Sequence, residues 1–233
     1  MRLYFVHGWA FGPDCFDALA PLLADWPQAR ADLGFFGAGH IPEFEPGDVL
    51  VGHSAGFGWG MSRRADWAGA VAINGFARFV CDESGRGCVR AAELRALRKV
   101  LARDPQKCLD EFRARHGGGP CPAPDADALA AGLEFLEHWD IRHYERSEPI
   151  HDSARRRVDG FAPLAMTAGI VSPSAPTLVL AAQDDPLVPL DAARELAHSG
   201  GEFFCASGGH GLPWTAPAVC ADKIRDFLRR HGW

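Results

Sequence analysis

Apolar residues along this chain fall into short unbroken runs separated by stretches of helical period. Leu3 to Val6 is the first run, closed by His7-Gly8-Trp9, and its strand-forming residues predict a buried strand. Phe16, Leu19, Leu22 and Leu23 follow at helical spacing after Pro13-Asp14, which predicts a helix that Asp14 can cap, with Asp17 three residues on. Ala29 to Leu33, ending at Gly34, reads as a second strand, Asp48 to His53 as a third and Ala68 to Ile73 as a fourth, with a short helix over Phe57 to Arg64 between the last two. The rhythm resumes near the end of the chain. Pro176 to Ala182 predicts a strand, Leu190 to His198 a helix closed by Gly200 and Gly201, Glu202 to Ala206 a strand, and Pro217 onward a helix with Cys220, Ile224, Phe227 and Leu228 on one stripe.

Strands that alternate with helices imply a mostly parallel sheet with helices on both faces, whose ligands bind beyond the carboxyl ends of the strands. Residues 77–170 depart from this pattern. They carry the helical triplets Leu94/Leu97/Leu101, Cys108/Leu109/Phe112 and Leu129/Leu133/Leu136 but no convincing strand, so we expect a core of residues 1–76 and 171–233 with a helical cap inserted at 77–170. Gly117-Gly118-Gly119-Pro120 and Pro122-Ala123-Pro124 mark loops within that insertion.

With 233 residues, the chain is long enough for one full core and a modest insertion. Its 24 Lys and Arg against 30 Asp and Glu leave a formal charge of −6, which gives no general reason to expect a nucleic-acid partner. The seven cysteines are scattered without CxxC pairs or histidines at metal-finger spacing, as expected of reduced thiols in a cytoplasmic protein. No run approaches the ~18 apolar residues of a membrane span, and the first residues lack the apolar region of a signal peptide. A cytoplasmic protein without a membrane partner is the expectation.

Gly52-His53-Ser54-Ala55-Gly56 has the form G-x-S-x-G between a predicted strand and a predicted helix, the setting in which a strained turn exposes a nucleophilic serine. A serine hydroxyl needs a histidine to take its proton and a carboxylate to hold that histidine in the right tautomer. His210 in Ser207-Gly208-Gly209-His210-Gly211 follows the last predicted strand, so it can reach the sheet's carboxyl edge as general base. Strand alternation should turn His53 away from the Ser54 side. His138, His143, His151 and His231 read as packing or solvated residues of the insertion and terminal helix. Of the two aspartates after the preceding strand, Asp185 precedes Pro186 and is thereby held extended, which suits the orienting role, leaving Asp184 as a turn carboxylate. The oxyanion of a tetrahedral intermediate needs two backbone N–H donors. Ala55 supplies one and the loop after the first strand the other, with Trp9 favoured because Gly8 permits the turn that aims its amide inward. Metal and cofactor are not required for this chemistry.

His7-Gly8-Trp9, Asp32 to Gly37, Gly52 to Gly56, Asp185-Pro186-Leu187-Val188-Pro189 and Gly209-His210 together resemble the successive signatures of the α/β-hydrolases. Within that group the chain is most similar to the pimeloyl-ACP methyl ester carboxylesterases of biotin synthesis, through His7-Gly8-Trp9, the stretch Gly132 to Arg142, and the ending His210-Gly211-Leu212-Pro213-Trp214 to Cys220. The resemblance implies an α/β-hydrolase fold, Ser54, Asp185 and His210 as a triad, Trp9 and Ala55 as oxyanion donors, and a carrier-bound ester as substrate. The same triad would also serve a broad esterase, a thioesterase or a C–C hydrolase, and a silent binding module is the alternative of another class. A dehalogenase is disfavoured, since that family places a carboxylate where Ser54 stands.

Charge adds one candidate surface. Between Arg86 and Arg115 nine basic residues face four acidic ones, a local +5 in a chain of −6. With Leu94, Leu97 and Leu101 inward, Arg95, Arg98 and Lys99 are expected outward, with Lys107 nearby, where they could steer an acidic acyl carrier protein. A solvated helix face is the alternative.

Overall fold

In the computed structural model, which describes residues 1–64, 66–141, 175–197 and 200–233, six strands form one parallel sheet. They are β1 (Arg2–Val6), β2 (Gln28–Ala31), β3 (Asp48–His53), β4 (Gly69–Ile73), β5 (Thr177–Ala182) and β6 (Glu202–Ala206), in the order β2-β1-β3-β4-β5-β6. Residues of β3 and β4 are buried throughout, as are those of β1 from Leu3 onward, because helical layers cover both faces of a parallel sheet and leave no side for alternating polar residues.

The period of two sorts the strand residues between two cores. Tyr4, Val6, Leu50, Ala70, Ala72, Val179 and Ala181 face α1 (Ala55–Arg63) and the helices inserted after β4. On the opposite face Leu3, Phe5, Val49, Val51, Val71, Ile73, Leu178 and Leu180 pack with residues of the C-terminal helix, among them Ile224, Phe227 and Leu228. His53 continues the Val49–Val51 series, so its side chain leaves on this second face, as strand alternation requires.

Between β4 and β5 lie α2 (Ala91–Arg103), α3 (Pro105–Arg115) and α4 (Ala126–His138), with two isolated bridges, Arg78 with Asp140 and Val80 with Val89. Asp104 and Asp125 cap α3 and α4 by accepting from Lys107 N–H (3.0 Å) and Ala128 N–H (2.9 Å). The remainder of the expected insertion, residues 142–170, lies outside the described residues, as do His143 and His151. After β5 come α5 (Leu190–Arg194), a 3-10 turn at Glu195–Ala197, α6 (Leu212–Thr215) and α7 (Pro217–Arg230).

Three expected elements differ in detail. The helix after Pro13 is two 3-10 turns, Pro13–Phe16 and Ala20–Leu23. Pro21 has no N–H to continue an α-helix, and Asp14 makes no capping bond. β2 stops at Ala31 because Asp32 turns to exchange both backbone bonds with His40 (2.7 and 2.9 Å). The α-helix expected to reach His198 tightens to a 3-10 turn after Arg194, and His198 is outside the described residues. Among the described residues no helix is long and apolar enough to cross a membrane.

The packing of α7 makes a testable contrast. Phe227→Ala, at a fully buried position, is expected to cost about 3–5 kcal/mol. Val219→Ala on the same helix, 40% exposed, should change stability by about 0.5 kcal/mol or less. Urea denaturation of both variants checks the ranking, and equal losses would mean α7 is not docked as described.

Candidate active site

Ser54 follows β3 at φ 53° and ψ −125°, a region that costs a side-chain-bearing residue of order 1–3 kcal/mol. The turn is held by close packing. A Cβ on Gly56 would lie 2.2 Å from the Val6 carbonyl oxygen, and one on Gly52 would lie 2.3 Å from Phe57 Cα, so both flanking positions exclude any side chain. Ser54 N–H donates to Ile73 C=O (2.9 Å), which ties the Ser54 backbone to the end of β4.

His210 Nε2 stands 3.0 Å from Ser54 Oγ, and its Nδ1 is 2.8 Å from Asp185 Oδ2. A carboxylate can only accept, so Nδ1 carries the proton and Nε2 is left to accept from the serine hydroxyl. The other Asp185 oxygen accepts from Leu187 N–H (2.8 Å) and Val188 N–H (3.0 Å). Burial alone would raise the Asp185 pKa, but the His210 bond, its charge and those two amides outweigh it and hold the carboxyl below its usual range. The side chains of His210 and Asp185 are each 1% exposed, so water does not compete for the pair. Asp184 is exposed and contacts neither catalytic candidate. It accepts from Gly208 N–H (2.9 Å) and Gly209 N–H (3.0 Å), pinning the loop that carries His210.

The loop after β1 closes on the serine from the other side. A Cβ on Gly8 would meet Ser54 Cβ at 2.9 Å, so Gly8 is there for close approach; the left-handed residue of this loop is Ala10 (φ 66°), where Gly8 had been expected to make the turn. Neither Trp9 nor Ala55 donates its backbone N–H to another group among the described residues. Trp9 Nε1 donates to Leu129 C=O (2.9 Å), and the buried Arg113 donates from Nη1 to Ala10 C=O (2.9 Å), so α3 and α4 grip this loop directly.

Several residues of the site were not singled out by sequence. His116, at the end of α3, is buried with its ring 4.4 Å from Phe112 and 5.9 Å from His210. His53, expected only to face away, donates from Nε2 to His210 C=O (2.8 Å). Burial, reinforced by the nearby His210, pushes His53 down to about 3 and His116 down to about 4, so both rings are neutral. Asn74 contacts the strands and loop around the pair. His116 carried no local signal, whereas Asn74-Gly75 after an apolar run marks a strand end where asparagine tolerates a left-handed turn.

On α2, Arg95 and Lys99 are exposed as expected, and Arg103 continues the same line one turn on. Arg98 is not directed outward. It flanks the apolar stripe and extends to α4, where Nη1 meets Glu137 at 2.8 Å. Lys107 is exposed with Glu111 3.9 Å away.

A parallel sheet with a strained serine turn after β3, a carboxylate after β5 and a histidine after β6 defines the α/β-hydrolase fold, and this chain has it. Solved structures share that architecture. The bromoperoxidase of Bacillus anthracis superposes at TM-score 0.72 with 15% identity over 98% of this chain and 91% of its own. An esterase of Exiguobacterium antarcticum gives 0.73 and 13% over 98% and 92%. Among curated proteins, RutD of Caulobacter sp. (strain K31), described as a carbamate hydrolase, is 31% identical over 106 residues, 44% of this chain and 39% of that protein. No family model matches the chain.

The two neutral histidines give a pH dependence with a definite sign. Their folded pKa values lie below the unfolded value of 6.5, so the unfolded chain binds more protons and stability falls as pH drops from 6.5 toward about 4 for His116 and about 3 for His53. The loss is roughly 1.4 kcal/mol per pH unit for each ring, or about 4 kcal/mol for both by pH 5. Denaturation of wild type and His116→Phe at pH 7 and 5 measures it. The variant should lose about half as much, and a wild-type stability unchanged between the two would contradict neutral burial.

Proposed function

We propose that the protein is a serine carboxylesterase that works through an acyl-enzyme. The observation that carries this reading is the continuous chain Asp185–His210–Ser54, at 2.8 and 3.0 Å, ending on a serine held in a strained turn. In this mechanism Ser54 Oγ attacks the ester carbonyl carbon while His210 Nε2 takes its proton. The carbonyl oxygen becomes an oxyanion against the N–H groups of Trp9 and Ala55, worth a few kcal/mol per donor in such sites. Collapse breaks the bond to the alkoxy oxygen, which leaves as the alcohol with the proton from His210. Water, deprotonated by His210, then attacks the acyl carbon, and the acid departs as Ser54 recovers its proton. Asp185 holds the imidazole tautomer throughout, and α2, α3 and α4 act as the cap over the pocket.

For the substrate we favour an ester on an acidic acyl carrier protein, with pimeloyl-ACP methyl ester as the particular candidate. Its supports are the resemblance of the motifs and the exposed line Arg95, Lys99 and Arg103, which among the described residues has no ion pair like the one that occupies Arg98. The likeness to RutD favours a small carbamate as the second reading, since the same attack on a carbamate carbonyl needs no other residue.

Ser54→Ala is expected to abolish turnover of a p-nitrophenyl ester with the fold intact, and fluorophosphonate should label Ser54 in the wild type. Asp185→Asn should lower kcat by about four orders of magnitude, as happens when the histidine loses its orienting carboxylate. Asp184→Asn should do far less. Persisting turnover in the alanine variant, or a reversed order of the two aspartates, would sink these assignments.

A substrate panel of pimeloyl-ACP methyl ester, short free esters and a small carbamate separates the two readings. Reversing Arg95, Lys99 and Arg103 to glutamate should raise KM for the carrier-bound ester and weaken its salt dependence, leaving small esters near wild type. Preference for the carbamate, or an unchanged KM for the carrier ester, would remove the carrier as partner.

A further inference from the structure

The triad depends on two loops that leave different strands, and one side chain touches both. Asn74 follows β4, which lies in the sheet between the nucleophile strand β3 and the acid strand β5. Its residue is 1% exposed. Asn74 Oδ1 accepts from Ala182 N–H (2.9 Å) at the end of β5, and Nδ2 donates to Gly209 C=O (2.9 Å), the residue before His210. Ala182 in turn accepts Asp185 N–H on its carbonyl (3.3 Å). The bonds therefore run from Asn74 through Ala182 to the acid and through Gly209 to the base.

We infer that Asn74 is a positioning residue that fixes the Asp185 loop and the His210 loop relative to each other. This inference rests on the serine-hydrolase reading. The two contacts assign the amide without ambiguity, since the oxygen must face an N–H and the nitrogen a carbonyl. They also explain the residue type. Only a carboxamide offers one acceptor and one donor in that shape, because an ionised aspartate has no proton for Gly209 and would set an anion against its carbonyl oxygen. Asparagine also tolerates the φ of 48° that turns the chain out of β4. The backbone has its own anchor, with Asn74 N–H donating to Leu180 C=O (2.7 Å), so the side chain is not required to hold β4 against β5.

The test compares wild type with Asn74→Asp and Asn74→Gly, the latter keeping the left-handed backbone unstrained. Both are assayed with a p-nitrophenyl ester, alongside the rate of fluorophosphonate labelling at Ser54 and thermal melting. A misplacement near 1 Å between base and acid should lower kcat by about ten- to a hundredfold. KM should stay within about twofold, because the acyl pocket is untouched. Labelling should slow in the same proportion, which a role in stability alone would not cause. If only one variant folds, its kcat and labelling decide the matter. Values for both within about twofold of wild type, or a loss carried by KM alone, would overturn the inference. Ser54→Ala run in parallel separates the two levels. An inactive Ser54→Ala beside unaffected Asn74 variants removes only the role of Asn74, whereas turnover in Ser54→Ala removes the underlying reading and this one with it.

Discussion

Ser54 is held with φ at 53° and ψ at −125°, and it cannot relax because the chain on either side of it has no room. Gly56 lies against the carbonyls of β1, Gly52 against the backbone of α1, and Gly8 brings the next loop to within contact of the Ser54 side chain. Strain of order 1–3 kcal/mol is stored in one residue and offset by packing spread over three elements. The result is a hydroxyl set at the carboxyl edge of the sheet, at the N-terminus of α1, near the Trp9 and Ala55 N–H groups, which donate to no other group among the described residues.

The other half of the geometry is electrostatic. His210 and Asp185 are removed from water together, and the carboxylate keeps its charge because one oxygen has the imidazole and the other has two amides. Two further imidazoles crowd His210, and burial keeps both neutral, so neither would oppose the positive charge that the proposed mechanism places on His210. His53 contributes its one donor to the carbonyl of His210, and Asp184 contributes its carboxylate to the two amides before it. His210 is thus braced by side chains from β3 and from the loop after β5.

Much of this was legible in the sequence because it depends on local rules. Doubly covered parallel strands read as apolar runs, and β1, β3, β4, β5 and β6 were found within a residue of their ends. Ser54, Asp185 and His210 stand just after strands, at the carboxyl edge of the sheet, where motif spacing is informative. What escaped depends on contacts distant in sequence. Pro21 broke a good helical pattern into 3-10 turns, and Arg98 paired with Glu137 across two helices. His116 comes beside His210 because α3 is tied to the loop after β1 through Arg113, and nothing in its neighbours along the chain signals that.

Asp185, His210 and Ser54 form one hydrogen-bonded chain, and the proposed acyl-enzyme mechanism requires Ser54 to become acylated. The most direct measurement is mass spectrometry of enzyme quenched in acid during turnover of a p-nitrophenyl ester, followed by mapping of the modified peptide. The expected result is one acyl group per chain, carried on Ser54 and absent when substrate is exhausted. Turnover with no adduct under quenching fast enough to trap it, or an acyl group on any other residue, would contradict the account.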